Sequence, residues 1–404
     1  MVKELKDIQE KITLFESDSN GREINVYKLF DVVATGESLF YPNVLLKTKK
    51  SGDIFNPINE TTMSLKNIVK EYVIPKKVPT TKIEEDNVFF FVYNTDNYFH
   101  FVYDTLPYLI TYLELLKTDN NLKLLMNYPN PNKKEHYKFV IEFLNILGIS
   151  EDKIKIINNE TLYKNVLLST SYTHDFDSNL PPRAEVYKFL QELAINVKYG
   201  YGHVDTPKKI YVSRRAWKHG DFSNIGTNYT TRRKMVNEDA LVDFLVANGY
   251  TEVFTETMSI KDKINLFANA ESVIGAIGGG LCNVLFSNKN CKLIALISPE
   301  FLKVNERFLY SLKGVNLELF DDTKHIELSE FKTFMRVKVK NLVGEILEIN
   351  GDNLTIQYSE TTIAGWNNDA IYENKIVKNS DAIKLDDGLN SPWEINLNKF
   401  KELL

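Results

Sequence analysis

Three groups of residues in this chain have the types and spacing to do chemistry. His100 and Asp104 stand four residues apart within Asn97-Tyr98-Phe99-His100-Phe101-Val102-Tyr103-Asp104-Thr105-Leu106-Pro107, the interval that puts two side chains on one helix face. Histidine titrates near neutrality and can take the proton of an attacking hydroxyl, while a carboxylate beside it orients or charges it. Either residue could be the base. His100 is preferred, because an ordinary aspartate is a weak base at neutral pH.

The second group is the run Val273-Ile274-Gly275-Ala276-Ile277-Gly278-Gly279-Gly280-Leu281-Cys282-Asn283. An apolar strand enters three consecutive glycines, Gly278, Gly279 and Gly280, and these lead into an expected helix that includes Asn283. Glycines let the backbone approach a ligand closely, and unpaired N–H groups at such a turn bind phosphate oxygens. The G-x-G-x-x-G spacing of a dinucleotide fingerprint is missing, and no Gly-Lys-Ser/Thr follows as in a Walker loop. The third group is basic. Arg214 and Arg215 come just past the strand-like Ile210-Tyr211-Val212-Ser213, and Arg232 and Arg233 precede Asn237-Glu238. Forked guanidinium groups suit a diphosphate and stabilise the charge that grows on a leaving nucleotide. Alternation along a strand would turn one of Arg214 and Arg215 away, and the sequence does not say which.

Each group also has a bland reading: a hydrogen-bonded core histidine, a tight turn packed on a neighbouring helix, a solvated arginine pair. His136, His203, His219 and His325 read as structural or surface residues. His174 lies beside Asp175-Phe176-Asp177, an Asp-x-Asp pattern that can hold Mg²⁺ or Mn²⁺ on a diphosphate. With 54 acidic residues in the chain, such triplets arise by chance, and the metal-dependent reading is kept as a rival.

These residues need elements to position them. In residues 1–204, Asn25 to Phe30, Val88 to Tyr93 and Val166 to Ser169 read as strands. Asn97 to Lys117 reads as a helix interrupted by Pro107, and Phe139 to Leu147 as one capped by Gly148. In residues 205–332, strands at Lys209 to Ser213, Glu252 to Thr255, Ser272 to Gly275 and Lys292 to Ile297 alternate with helices. Those helices are Asn237 to Asn248, Ser259 to Ala270 (a capping box of Ser259 and Asp262) and Gly278 to Asn288. That alternation predicts a parallel, Rossmann-type sheet, with the glycine loop at a carboxyl strand end, where ligands of such sheets bind. In residues 333–404, Arg336 to Lys340, Gly344 to Ile349 and Leu354 to Tyr358, with a turn at Asn350-Gly351, predict a small antiparallel, SH3-like β module. It carries no catalytic constellation.

At 404 residues the chain is too long for one ordinary core. Its 49 basic against 54 acidic residues give a net charge of −5, so a general nucleic-acid binder is not expected and any basic site is local. Two cysteines, Cys282 and Cys291, provide neither a zinc ribbon nor a disulfide scaffold. With no membrane span and a polar amino-terminal stretch, a cytoplasmic protein is expected.

The three groups, in this order and at these intervals, resemble glycosyltransferase family 61. The stretches that match are Asn97 to Pro107, Ile210 to Arg215, the Arg233-x-x-x-Asn237-Glu238 unit and Gly275 to Phe286, within roughly residues 90 to 300. The resemblance implies an α/β, GT-B-like fold of two facing Rossmann-like domains, beside the small C-terminal all-β module. It implies an inverting transferase with no metal and no cofactor, of the kind found in polysaccharide biosynthesis such as capsule formation. It further implies a nucleotide-sugar donor, with uridine expected on this ground alone, and a glycan or glycoconjugate acceptor. Arg214, Arg215, Arg233, Asn237, Glu238, Gly278, Gly279, Gly280 and Asn283 would bind the donor, and His100 and Asp104 would be catalytic. Two departures stand out: Ile277-Gly278-Gly279 where the family usually has His-Gly-Ala, and Ala295 where a glutamate is common. They motivate a second rival, a non-catalytic glycan- or nucleotide-binding protein. A hydrolase working with two carboxylates ranks last, because the loop and arginines would then have no task. Nothing in the sequence fixes the oligomeric state, and a homo-oligomer stays open.

Overall fold

Val88-Phe89-Phe90 alternates nothing; it is apolar on both faces, as a strand covered on both sides must be. In the computed structural model these residues end a strand at the centre of a mixed sheet. The structure describes residues 8–34, 46–48, 54–56, 61–63, 82–92, 95, 97–128, 134–158, 160–173, 181–201, 205–215, 233–304, 307–358, 373–385, 388 and 391–404. Contacts divide the chain into two compact units, Met1–Leu193 and Ala194–Leu404.

In the first unit, β1 (Ile8–Phe15) and β2 (Ile24–Ala34) pair antiparallel. β3 (Leu46–Thr48), β4 (Ile54–Asn56) and β5 (Thr61–Met63) continue from β2 in the same sense. β6 (Lys82–Phe90), β7 (Lys123–Met126), β8 (Ile154–Ile156) and β9 (Thr161–Ser169) are parallel, in the order β9-β6-β7-β8, and β9 joins β2 antiparallel. The carboxyl ends of β6, β7 and β9 therefore share one edge. α1 (Tyr98–His100) follows β6 and runs into a π-helical stretch, Phe101–Thr105, before α2 (Tyr108–Leu116). The wide turn is visible as the Leu106 N–H bonding the Phe101 carbonyl at 2.7 Å. Pro107, next in line, has no N–H to continue an α ladder. α3 (Lys138–Ile146) ends as its sequence predicts, with Gly148 at φ +74 just past it. α4 (Ala184–Tyr201) leads into the second unit.

The second unit contains the alternation read from the sequence. β10 (Lys209–Val212), α5 (Glu238–Ala247), β11 (Thr251–Val253), α6 (Ile260–Asn269), β12 (Ser272–Ala276), β13 (Lys292–Leu296) and β14 (Asn316–Phe320) build a fully parallel sheet, β11-β10-β12-β13-β14. Ser259 caps α6 by accepting the Asp262 N–H at 3.2 Å. One element differs from expectation. The glycine-led helix is a six-residue 3-10 segment, Leu281–Phe286. The Cys282 thiol reaches back to the Gly279 carbonyl and the Asn283 amide to the Gly280 carbonyl, at 2.9 and 2.8 Å. Such i to i−3 side-chain bonds compete with an α turn.

Beyond this sheet come β15 (Thr323–His325), β16 (Arg336–Val339), β17 (Leu342–Asn350), β18 (Asn353–Tyr358), β19 (Glu373–Lys378), β20 (Ile383–Leu385) and β21 (Trp393–Ile395). β16 to β20 form a five-stranded antiparallel sheet, β19-β18-β17-β16-β20, with its own core of Val337, Ile346, Leu354 and Ile356. β21 does not join it. Trp393, Ile395 and Phe400 pack instead with Tyr211, Leu241, Ile294 and Phe320 of the parallel sheet and α5. No described helix is long and apolar enough to cross a membrane.

Candidate active site

In the first unit, the chain leaving β6 is turned into α1 by Asn97, whose side chain accepts the His100 N–H at 3.3 Å. Aromatic packing then fixes the helix. Phe101 meets Phe91, Phe139 and Phe143, and Phe99 stacks on Tyr103 at 5.6 Å. On this rigid base His100 Nδ1 lies 2.8 Å from Asp104 Oδ2. The other Asp104 oxygen accepts from the Thr173 hydroxyl at 3.2 Å. Asp104 is completely buried, whereas the His100 side chain is 22% exposed. A buried carboxylate that accepts from Nδ1–H fixes the tautomer of the ring and leaves Nε2 as the basic nitrogen. Thr173 follows β9, and only the parallel pairing of β9 with β6 brings it to Asp104. Ser171-Tyr172-Thr173 carries no local signal that would have revealed it.

In the second unit, the carboxyl ends of β10 and β12 place Arg214 against the glycine loop. A Cβ built on Gly278 would lie 2.8 Å from Arg214 Nη1, and one on Gly280 would lie 2.8 Å from Thr255 Oγ1. Only glycine leaves the guanidinium and hydroxyl where they are. Gly278 and Gly279 are buried, and among the described residues the N–H groups of Gly278, Gly279 and Gly280 have no backbone acceptor. Buried donors of this kind belong to a ligand or to water.

The neighbouring arginines are distributed differently. Arg215 turns away from the loop, with Nε and Nη2 on Glu252 at 2.9 and 2.6 Å and Nη1 on Asp239 at 2.6 Å. Those bonds hold its guanidinium firmly charged, above the ordinary range. Arg233 sits at φ +53, stacks its guanidinium over Phe301 at 4.3 Å and gives its carbonyl to the Trp393 indole N–H. Arg232 lies outside the described residues. Glu238, 4% exposed, accepts from the Tyr211 hydroxyl at 2.9 Å and from the Arg214 backbone N–H at 2.8 Å. Burial raises its carboxyl above the usual range, and the Arg214 N–H counters that. Asn237 exchanges two hydrogen bonds with the Ile395 backbone, 2.8 and 3.2 Å. Asn283 is fully buried under the loop. Arg214 and Gly278 therefore meet directly, and Gly280 meets Thr255. Glu238 and Asn283 brace the turns beside them, and Asn237 ties that region to β21.

Among the described residues no three of His, Cys, Asp and Glu gather as a metal-binding group. His174, Asp175 and Asp177 lie outside those residues.

The glycine loop with its arginine, at the strand ends of the second unit's parallel sheet, suits phosphate oxygens, and the histidine–aspartate pair, beside the parallel strands of the first unit's mixed sheet, suits a proton. The family model Glycosyltransferase 61 matches residues 98–294, from the start of α1 into β13, and so encloses His100, Asp104, Arg214, Arg215, Arg233, Asn237, Glu238 and the glycine loop. Residues 98–294 are a glycosyltransferase family 61 domain, and the protein is a glycosyltransferase. A sugar donor and a glycan acceptor follow from that class. No curated protein matches the chain.

Proposed function

We propose that this enzyme transfers a sugar, with inversion and without a metal, from a nucleotide-sugar to a glycan or glycoconjugate acceptor, the nucleotide being UDP. The observation that carries the reading is Arg214 lying on Gly278, in a loop whose glycine N–H groups have no backbone acceptor among the described residues. The donor diphosphate takes those N–H groups and the guanidinium. Arg233 adds charge, Glu238 and Asn283 hold the two turns, and Asn237 and Arg215 act through the elements they fix.

In the reaction, the acceptor oxygen bonds to the anomeric carbon as its proton passes to Nε2 of His100. Asp104 stabilises the imidazolium that forms. The bond from the anomeric carbon to the phosphate oxygen breaks, and the nucleoside diphosphate leaves with the electron pair, its growing charge met by Arg214 and the loop. A GT-B-like pairing of Rossmann-like domains and an SH3-like identity for the sheet β16–β20 belong to the same proposal. Each unit's set of parallel strands supports the first, and the five-stranded antiparallel order β19-β18-β17-β16-β20 supports the second. The cytoplasm as the place of action and capsule or related polysaccharide as the product complete it.

The test is a transfer assay of the purified chain with a panel of UDP-, GDP- and CMP-sugars, in the presence and absence of EDTA. The product's anomeric configuration is read by NMR. Activity with a UDP-sugar that survives EDTA and inverts the anomer is expected. Loss of all transfer in EDTA would instead favour a metal held through Asp175 and Asp177.

A further inference from the structure

Glu256 is absent from the constellation just described, yet it stands at its edge. It lies in the 3-10 turn Thr255–Thr257 that follows β11, at the same carboxyl edge of the sheet as Arg214 and the glycine loop. Thr255, the residue before it, has its hydroxyl 2.8 Å from the position a Cβ on Gly280 would take. The Glu256 Oε2 is buried and, among the described residues, has no hydrogen-bond partner. Burial raises this carboxyl above its ordinary range, opposed by its own backbone N–H and by the charges of Arg214 and Lys263, which both act on it. Lys263 is itself buried, on α6.

A buried carboxylate oxygen without a donor is costly and is found where a ligand or water supplies one. That donor cannot be the diphosphate, which carries no hydrogen to give near neutral pH and repels a carboxylate. The sugar rings on either side of a diphosphate carry neutral hydroxyls, which are donors. Resting on the donor-site reading above, we propose that Glu256 Oε2 accepts a hydrogen bond from a ring hydroxyl of the nucleotide-sugar whose diphosphate lies on Arg214 and Gly278–Gly280. Glu256 is then a specificity residue. It admits a hydroxylated ring beside the phosphates and rejects a deoxygenated one, because the buried oxygen would be left without its donor.

Two rings could supply the hydroxyl, and calorimetric titration separates them. In the ribose arm, UDP is compared with 2′-deoxy-UDP and 3′-deoxy-UDP. In the transferred-sugar arm, UDP is compared with UDP-glucose, UDP-galactose, UDP-xylose and UDP-N-acetylglucosamine. One arm is expected to show a wild-type preference for the hydroxylated ligand of about tenfold, the size of a hydrogen bond to a charged group. In Glu256→Ala that preference should fall below about threefold. Glu256→Gln, which keeps the shape and an acceptor oxygen, should fall between the two and serves if the alanine variant does not fold. Equal preferences in wild type and both variants, in both arms, overturn the assignment. Inorganic pyrophosphate, GDP and CDP report on the underlying reading. If the wild type binds none of them, nor UDP, the donor site itself is wrong and Glu256 falls with it. If they bind but Glu256 changes no preference, only the present inference fails.

Discussion

At the scale of single residues, the pair His100 and Asp104 divides its labour by burial. The aspartate is enclosed and bonded by Thr173, and the imidazole reaches the surface. His100→Ala should lower kcat by about 10²- to 10⁴-fold with donor affinity nearly unchanged, the range for losing a general base. Asp104→Asn should do the same by presenting the wrong tautomer. Thr173→Val should cost only about three- to tenfold, the worth of one hydrogen bond. Steady-state kinetics beside calorimetric UDP binding would check all three, and normal transfer in His100→Ala would end the role. The two arginines should separate as cleanly. Arg214→Met should reduce kcat/KM about a hundredfold or more, while Arg215→Met, which frees the half-buried Glu252 of its partner, should lower the melting temperature and leave kinetics of the folded fraction close to normal. Gly278→Ala should copy Arg214→Met without loss of stability, because its Cβ displaces only the tip of a flexible side chain. The histidine–aspartate interval and the glycines were legible in the sequence because each is a local pattern. Thr173 and Glu256 were not, since their proximity is created by strand order. The choice between Arg214 and Arg215 depended on Glu252 and Asp239, acids that sequence gives no means of pairing.

At the scale of elements, the alternating strands and helices of β10 to β13 were read within a few residues of their bounds, because apolar runs, caps and glycine stops agree there. The segment after the glycines was read too long. Leu281–Phe286 is short, Cys282, Asn283, Val284 and Phe286 are weaker helix formers than its two leucines, and Cys282 and Asn283 bond their own turn. β21 escaped notice because three residues show no period. Yet β21 holds the stretch Arg233–Asn237. The Trp393 indole bonds the Arg233 carbonyl, and the Trp393 and Val236 N–H groups bond the Lys234 and Trp393 carbonyls. Trp393, 1% exposed, should cost about 3–5 kcal/mol on replacement by alanine. Asn237→Ala should cost about 1–3 kcal/mol by leaving the Ile395 backbone groups unpaired. Urea unfolding would measure both. In the folded Asn237→Ala protein, UDP affinity should drop several-fold at a distance from the mutation; an unchanged affinity would show that Arg233 does not depend on this anchor.

At the scale of the molecule, the antiparallel sheet is tied to the segment bearing Arg233 by a buried ion pair, Lys234 with Glu345. Burial pushes the Glu345 carboxyl up to about 7 from 4.5, against the attraction of Lys234, and among the described residues its Oε2 has no hydrogen-bond partner. Lys234 is driven below its ordinary 10.5 by the same burial. Between pH 4.5 and about 7 the folded Glu345 keeps a proton that the unfolded chain has lost. The protein should therefore lose stability from this group as pH rises through that window, and regain some from Lys234 as pH rises further toward 10.5. Lys234→Met or Glu345→Leu alone should cost about 3–5 kcal/mol, by stranding the other charge. The double variant should be at least as stable as the wild type at pH 7 and flatter with pH. Thermal unfolding from pH 4.5 to 9 would decide, and a double variant as weak as the singles would show that the pair contributes more than it costs. No pattern in the sequence joins Lys234 to Glu345 across 111 residues.

The bond between the Ile395 N–H and the Asn237 side chain spans 158 positions of sequence. During synthesis, the ribosome delivers β10, α5 and the glycine loop long before it delivers the strand that steadies them. The parallel sheet must wait, with its Trp393, Ile395 and Phe400 layer missing, while the antiparallel sheet emerges. Nascent chains in that interval present an unfinished apolar face to chaperones, and competence to hold a donor should arrive abruptly, as residues 393–400 clear the exit tunnel.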